Sequence, residues 1–161
     1  MSIGAGDKLP EATFKHMTED GIQDISTHEL CNGKTVVLFA VPGAFTPTCQ
    51  DVHLPTYIDN VDQLKAAGAD TVACVAVNDV FVMNEWRQAR GIPAGILLLS
   101  DGNGEFIQAM GLELDASGFG MGIRSQRWAA VIKDGVVQTL NVEPGRDVGV
   151  SGAPAMLEAL S

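Results

Sequence analysis

The chain has 161 residues, 46% of them hydrophobic, enough to bury a substantial core in one domain spanning residues 1–161. Twenty acidic against ten basic residues leave a formal charge of −10, a field that repels phosphate backbones and anionic lipid and so excludes nucleic acid and membrane surfaces as natural partners. Three cysteines at 31, 49 and 74, with no CxxC, argue against a disulfide-stapled secreted domain and against a zinc site. The opening MSIGAGDKLP has neither a basic region nor an apolar stretch of signal-peptide type, and no apolar run approaches the roughly 20 residues of a membrane span. The expectation is a soluble cytoplasmic protein, with a mature organellar form left open.

In chain order, residues 13–17 and 22–25 flank Glu19-Asp20-Gly21 and read as a short hairpin. Ser26-Thr27-His28-Glu29 is a capping box opening a short helix that stops near Asn32-Gly33. Val36 to Val41 reads as a buried strand, ended by Pro42-Gly43. A helix follows to about Ala67-Gly68, with Pro55 expected to bend or break it. Thr71–Val77 is a second buried strand, Asn78-Asp79 caps a helix that Gly91 ends, and Ile96–Leu99 is a third strand. Glu105–Gly111 reads as a short helix and Ser117–Gly122 as a glycine-rich loop. Residues 128–132 and 136–142 around Asp134-Gly135 give the strongest hairpin signal, and a terminal helix starts from Ser151 as N-cap.

The order of these elements implies an architecture. A strand–helix–strand unit is right-handed and parallel in nearly all cases. Joined to a hairpin and a last helix, it gives an α/β thioredoxin-like fold with an αβ insertion and an extra N-terminal hairpin. The chemistry concentrates where the first core strand ends, at Val36–Leu54. Pro47 suits a first helical turn, and Thr46, with Thr48 as fallback, suits the N-cap. Cys49 then lies in the first turn, where unpaired amides and the positive end of the helix favour a thiolate.

Pro42-x-x-x-Thr46-x-x-Cys49, within FAVPGAFTPTC and followed by His53-Leu54-Pro55, resembles the active-site motif of peroxiredoxins, in its atypical type II (peroxiredoxin-five-like) form. VAVND (75–79), GIRSQRWAAVIKDGVV (122–137) and LNVEP (140–144) extend the resemblance over most of the chain. The resemblance implies a thiol peroxidase acting on hydrogen peroxide and alkyl hydroperoxides without a cofactor. In it Cys49 attacks the O–O bond and becomes a sulfenic acid. Thr46 exchanges hydrogen bonds with thiolate and peroxide, and Pro42 shields the sulfur. Arg124 is the arginine brought from the hairpin region, and the Thr48 and Cys49 amides bind peroxide oxygen. It also implies a homodimer, with Phe45 and Phe119 at the pocket mouth or dimer contact. Glutathione with glutaredoxin, or thioredoxin, returns Cys49 to the thiolate. Cys74 aligns with the second cysteine of plant-type members, a possible resolving residue, although an inert core thiol fits its strand equally well. Ser151 stands near the place of the animal-type resolving cysteine. That substitution favours a one-cysteine cycle using glutathione and glutaredoxin.

A thiol of ordinary pKa near 8.5 is about 3% ionised at pH 7, and lowering it to about 6 raises the thiolate about 30-fold. The accompanying loss of nucleophilicity is about 13-fold on the slope known for thiol exchange. Thiolate formation alone therefore gives only about a two- to three-fold gain, and donors aimed at the departing oxygen must supply the rest. Two other classes use the same cysteine: a peroxide sensor or chaperone-like scaffold, and a cysteine hydrolase with His53 as base. Otherwise His53 reads as structural and not as a metal ligand, Cys31 as structural, and Trp86, Phe119 and Met121 as ordinary core.

Overall fold

The computed structural model describes residues 2–161. The hairpin of β1 (Thr13–Thr18) and β2 (Gly21–Ser26) leads into α1 (Thr27–Cys31), whose capping box forms as expected between Ser26 and Glu29. β3 (Thr35–Ala40), α2 (Leu54–Ala66) and β4 (Thr71–Ala76) make the parallel unit. The insertion is α3 (Val80–Arg90), β5 (Ile96–Ser100) and α4 (Glu105–Met110). Asp79 caps α3 by accepting from the Val82 amide, and Gly91 ends it in the left-handed region at φ 61°. β8 (Trp128–Lys133) and β9 (Val136–Val142) turn through Asp134 (φ 50°) and Gly135 (φ 78°), and α5 (Ala153–Leu160) follows. The seven strands lie in the order β2-β1-β5-β4-β3-β8-β9, with β3, β4 and β5 parallel and the rest antiparallel. This is the expected thioredoxin-like arrangement with its insertion and N-terminal hairpin.

Strand alternation divides the core in two. Val37, Phe39 and Cys74 face the layer that holds Leu54, Tyr57, Leu64, Trp86 and Met156 of α2, α3 and α5. Val36, Leu38, Ala40 and Trp128 face α1 and α4 through Leu30, Phe106 and Met110. β3 and β4 are fully buried on both faces apart from their first residues, as their unbroken apolar runs require.

The structure refines two local expectations and corrects a third. The loop at 117–122 is the tip of a two-stranded ribbon, β6 (Glu113–Asp115) with β7 (Ile123–Ser125), whose strands are too short to carry a periodic signal. Pro55 disturbs its helix, as expected, without ending it. The turn before it, Cys49–His53, widens to π geometry, with the Leu54 amide reaching the Cys49 carbonyl. That widening relieves the missing amide and the ring clash that proline would impose on a regular helix. Finally, α5 is capped by Gly152, because the Ser151 hydroxyl is taken by Glu143.

Candidate active site

The site is built where β3 ends. Val41 still reaches the Val75 carbonyl, and the Ala44 amide donates to Asn78 Oδ1 at 2.9 Å. Gly43 sits in a packed corner: a Cβ there would lie 3.1 Å from Thr46 Cγ2, 3.3 Å from Met121 Cε and 3.4 Å from Arg124 Nη1. Phe45 follows with φ 65°, a strained conformation for a bulky residue that the anchors on either side hold in place. The helix then begins at Pro47, and its first ladder bond runs from the Gln50 amide to the Thr46 carbonyl. The Thr48 and Cys49 amides therefore precede the ladder, at the positive end of the helix. Cys49 lies in the first turn, as the spacing predicts. The Thr46 hydroxyl does not act as a cap. It donates to the Gly43 carbonyl at 2.6 Å, which leaves its lone pairs to accept from a ligand.

Cys49 is buried, and one guanidinium reaches it: Arg127 Nη2 donates to Cys49 Sγ at 3.2 Å. Arg127 Nη1 lies 3.0 Å from His53 Nδ1, and His53 Nε2 lies 2.9 Å from the Ser151 carbonyl. Arg127 is itself buried and has no carboxylate partner among the described residues. A buried cation without an anion is costly, and the Cys49 sulfur is the group that its Nη2 meets.

The arginine expected here was Arg124, and this is a correction. Arg124 donates through Nε to the Met121 carbonyl at 2.9 Å and through Nη1 to the Val77 carbonyl at 3.1 Å, bracing the corner behind Gly43. The cause lies in strand pairing. Ala40 faces Trp128 across β3 and β8, so the residue before Trp128 comes beside the end of β3 and the cysteine turn. Arg124 belongs to the separate ribbon, opposite Leu114.

His53 is wholly buried between Arg127 and the Ser151 carbonyl and makes edge contacts with Phe39 and Tyr57. Burial is the main reason its pKa falls to about 4; the Ser151 carbonyl opposes this and the Arg127 charge adds to it. An unfolded imidazole titrates near 6.5. Between these values the unfolded chain binds a proton that the folded chain does not, so this stability is full above pH 6.5 and is lost as the pH falls toward 4. The loss is about 3 kcal/mol. Denaturant titrations at pH 7 and pH 4 should show wild type losing about that much more than His53→Asn. Equal losses would contradict the assignment.

Cys74, the possible resolving residue, sits at the centre of β4 between Phe39 and Leu98 and is completely buried. Burial first, then the nearby Cys49, push its thiol well above the ordinary value. Cys31 packs in the other layer, where burial raises it to about 11. No disulfide joins any of the three.

A cavity of about 520 Å³ opens over the cysteine turn. Pro42, Thr46, Thr48 and Arg127 line it from the cysteine side, and Leu114, Phe119 and Met121 form an apolar wall. Phe119 and Phe45 are both exposed, but only Phe119 lines the cavity. At the rim, Arg146 stacks over the Phe119 ring, 5.2 Å from its centroid. Trp86 is core as expected, whereas Phe119 and Met121 belong to the cavity wall. Sequence reasoning missed Arg127 and Glu143, and it gives Asn78 and Ser151 other roles than those they take here. Arg127 and Glu143 stand inside the segments that carry the resemblance, and Asn78 reads by its position as a helix cap.

A sulfur in a first helical turn, a guanidinium on it and an apolar cavity above suit thiol chemistry on a small substrate, on a thioredoxin-like fold. The redoxin family pattern matches residues 4–157, and the chain belongs to that family as a type II, peroxiredoxin-five-like peroxiredoxin. It is 48% identical to peroxiredoxin-2E-2, chloroplastic, of Oryza sativa subsp. japonica, over 99% of this chain and 73% of that protein. It is 41% identical to the hybrid peroxiredoxin hyPrx5 of Haemophilus influenzae, over 100% of this chain and 68% of the relative. The structure of reduced Prx3 from Vibrio vulnificus in complex with hydrogen peroxide superposes with a TM-score of 0.94 at 52% identity, covering 99% of each chain. The chain is a thiol-dependent peroxidase. Among the described residues, no helix is long and apolar enough to cross a membrane.

Proposed function

We propose that Cys49 is the peroxidatic residue and Arg127 its catalytic partner, and that an outside thiol completes the cycle. The observation that carries this is the 3.2 Å contact of Arg127 with Cys49 Sγ beneath the cavity. The Cys49 thiolate attacks one peroxide oxygen; an S–O bond forms as the O–O bond breaks, and the departing oxygen takes a proton to leave as water or alcohol. The sulfur loses two electrons and the peroxide gains them. Thr46, its hydrogen committed to Gly43, accepts the peroxide O–H and so orients the substrate. Arg127 and the Thr48 and Cys49 amides stabilise the charge that develops on the leaving oxygen. Pro42 shields the sulfur from bulk water. Arg124 supports this machinery from behind by holding Val77 and Met121.

The sulfenic acid is then attacked by an external thiol, releasing water and leaving a mixed disulfide, which a second thiol reduces. Glutathione with glutaredoxin fits best, and a cytoplasmic setting would supply both. Ser151 is a hydroxyl held by Glu143, and Cys74 would have to leave the centre of the sheet to resolve Cys49. Arg146 strengthens this reading. It is exposed at the cavity rim and makes no ion pair among the described residues, so it can hold a carboxylate of glutathione. With glutathione and glutaredoxin, Arg146→Glu should lower the steady-state efficiency about fivefold while leaving the pre-steady-state rate with hydrogen peroxide within twofold, since an exposed ion pair is worth about 1 kcal/mol. An equal effect on both rates would remove Arg146 from reductant binding, and turnover with thioredoxin alone would displace glutathione.

The protein is proposed to act as a homodimer. Phe45, Phe119, Leu114 and Ile123 are exposed apolar residues on the cysteine loop and the adjoining ribbon, a concentration that solvent disfavours. Sedimentation at micromolar concentration should show a dimer that Phe45→Glu converts to monomer; a monomeric wild type would end this proposal.

A further inference from the structure

Glu143 borders the cavity over the cysteine turn, makes no hydrogen bond to Cys49, and none of the steps above uses it. Its carboxylate nonetheless accepts more hydrogen bonds than any other carboxylate among the described residues. One oxygen, Oε2, accepts from the Gly149, Val150 and Ser151 amides at 2.9, 2.8 and 2.8 Å and from the Ser151 hydroxyl at 2.6 Å. Burial alone would raise its pKa, but these four donors outweigh it and hold the carboxyl below the usual range. Three successive amides on one anionic oxygen fix the path of the 149–151 turn, and with it the direction of the Ser151 carbonyl.

That carbonyl accepts twice, from Tyr57 Oη at 2.6 Å and from His53 Nε2 at 2.9 Å. A carbonyl cannot donate, so Nε2 carries the imidazole proton and Nδ1 is a bare acceptor. Nδ1 faces Arg127 Nη1 at 3.0 Å, and the other terminal nitrogen of the same guanidinium points at Cys49. The ring has little freedom, because Tyr57 beside it is stacked on Phe39 at 3.8 Å and nearly parallel. The Glu143 amide also donates to the Arg127 carbonyl at 2.9 Å, so the same residue fixes both ends of the arginine's surroundings.

We infer that Glu143 is a positioning residue for peroxide reduction: through the 149–151 turn and the Ser151 carbonyl it sets the tautomer and place of His53, which aims Arg127 at Cys49. The inference rests on the reading that Arg127 acts on the reacting sulfur. A guanidinium has five donors and a flexible stem, so a fixed acceptor on one terminal nitrogen determines where the other points. The alternative is that Glu143 and His53 only hold a loop and fill the core.

Isosteric substitutions separate the two. In His53→Asn the side-chain oxygen takes the place of Nδ1 and can still accept from Arg127. In His53→Gln the amide takes the place of Nε2, keeping the bond to Ser151 but leaving Arg127 without its acceptor. Each variant is made in the full-length reduced protein, checked for folding by circular dichroism, and mixed rapidly with hydrogen peroxide while tryptophan fluorescence is followed. His53→Gln should lose about 10- to 100-fold in second-order rate, the range for losing a hydrogen bond to a charged group, and His53→Asn should recover most of that loss. Glu143→Gln should lose about tenfold, and the double variant with His53→Gln should be no slower than His53→Gln alone, because both act through the same arginine.

Equal losses in the two His53 variants, or multiplying losses in the double variant, would overturn the inference. Should Glu143→Gln fail to fold, Glu143→Asp, which keeps the charge but shortens its reach to the 149–151 amides, takes its place in the same double-variant comparison. Arg127→Ala separates this from the underlying assignment. An unimpaired Arg127→Ala means the assignment itself fails; an impaired one beside unaffected His53 and Glu143 variants means only the positioning fails.

Discussion

Cys49→Ser is expected to leave no measurable peroxide-dependent turnover, while Cys74→Ala keeps turnover within about threefold of wild type when glutathione and glutaredoxin are supplied. Serine preserves the size of the side chain but is not ionised near neutral pH, so no nucleophile remains where Arg127 points. The rate should fall to that of the residual thiols, Cys31 and Cys74, which are buried and pushed up toward their protonated forms. Cys74 separates two cycles. To resolve Cys49 it must leave a central strand bonded on both sides, to β3 and to β5, and must lose a proton that burial retains. An external thiol avoids both costs by approaching through the cavity. Mass spectrometry after one equivalent of peroxide should therefore find a sulfenic acid or glutathione adduct on Cys49. A Cys49–Cys74 disulfide, together with lost turnover in Cys74→Ala, would replace the one-cysteine cycle with an intramolecular one.

What could be read from the sequence was local. The cysteine turn was legible because proline, threonine and cysteine act within one helical turn of each other, and strands β3 and β4 because both faces are buried. The hairpin at Asp134-Gly135 was legible because its turn needs two residues with positive φ. The arginine was not. Arg124 and Arg127 stand three residues apart in one segment, and only the register that sets Trp128 opposite Ala40 decides which meets the sulfur. The support beneath the site was invisible for the same reason. The His53 contact with Ser151 joins residues 98 positions apart, and nothing near either reveals the other. Ser151 carried a misleading local signal, since a serine before Gly-Ala-Pro reads as a helix cap until Glu143 is seen to hold it. The π turn shows the converse: Pro55 signalled a disturbance correctly, but the backbone absorbed it one turn earlier, at the residues that carry the cysteine and the histidine.

The second large effect is expected at Arg127. Arg127→Ala should lower the second-order rate with hydrogen peroxide about 10²- to 10³-fold, the usual range for removing a donor that stabilises developing negative charge. Arg124→Ala should cost about tenfold or less, because its bonds to Val77 and Met121 brace the corner and do not touch the sulfur. Arg127→Lys should recover only a small part of the loss, since one ammonium on a flexible stem cannot bond His53 and Cys49 together as the planar guanidinium does. Rapid-mixing measurements across pH on each variant separate two contributions. If Arg127 acted only by ionising Cys49, raising the pH would restore the rate of Arg127→Ala. If it also holds the departing oxygen, a large deficit persists when the thiol is fully ionised. The second outcome is expected, because the trade between thiolate fraction and nucleophilicity yields only about a two- to three-fold gain. Full recovery at high pH, or a larger loss at Arg124 than at Arg127, would return the catalytic role to the helix terminus or to the ribbon.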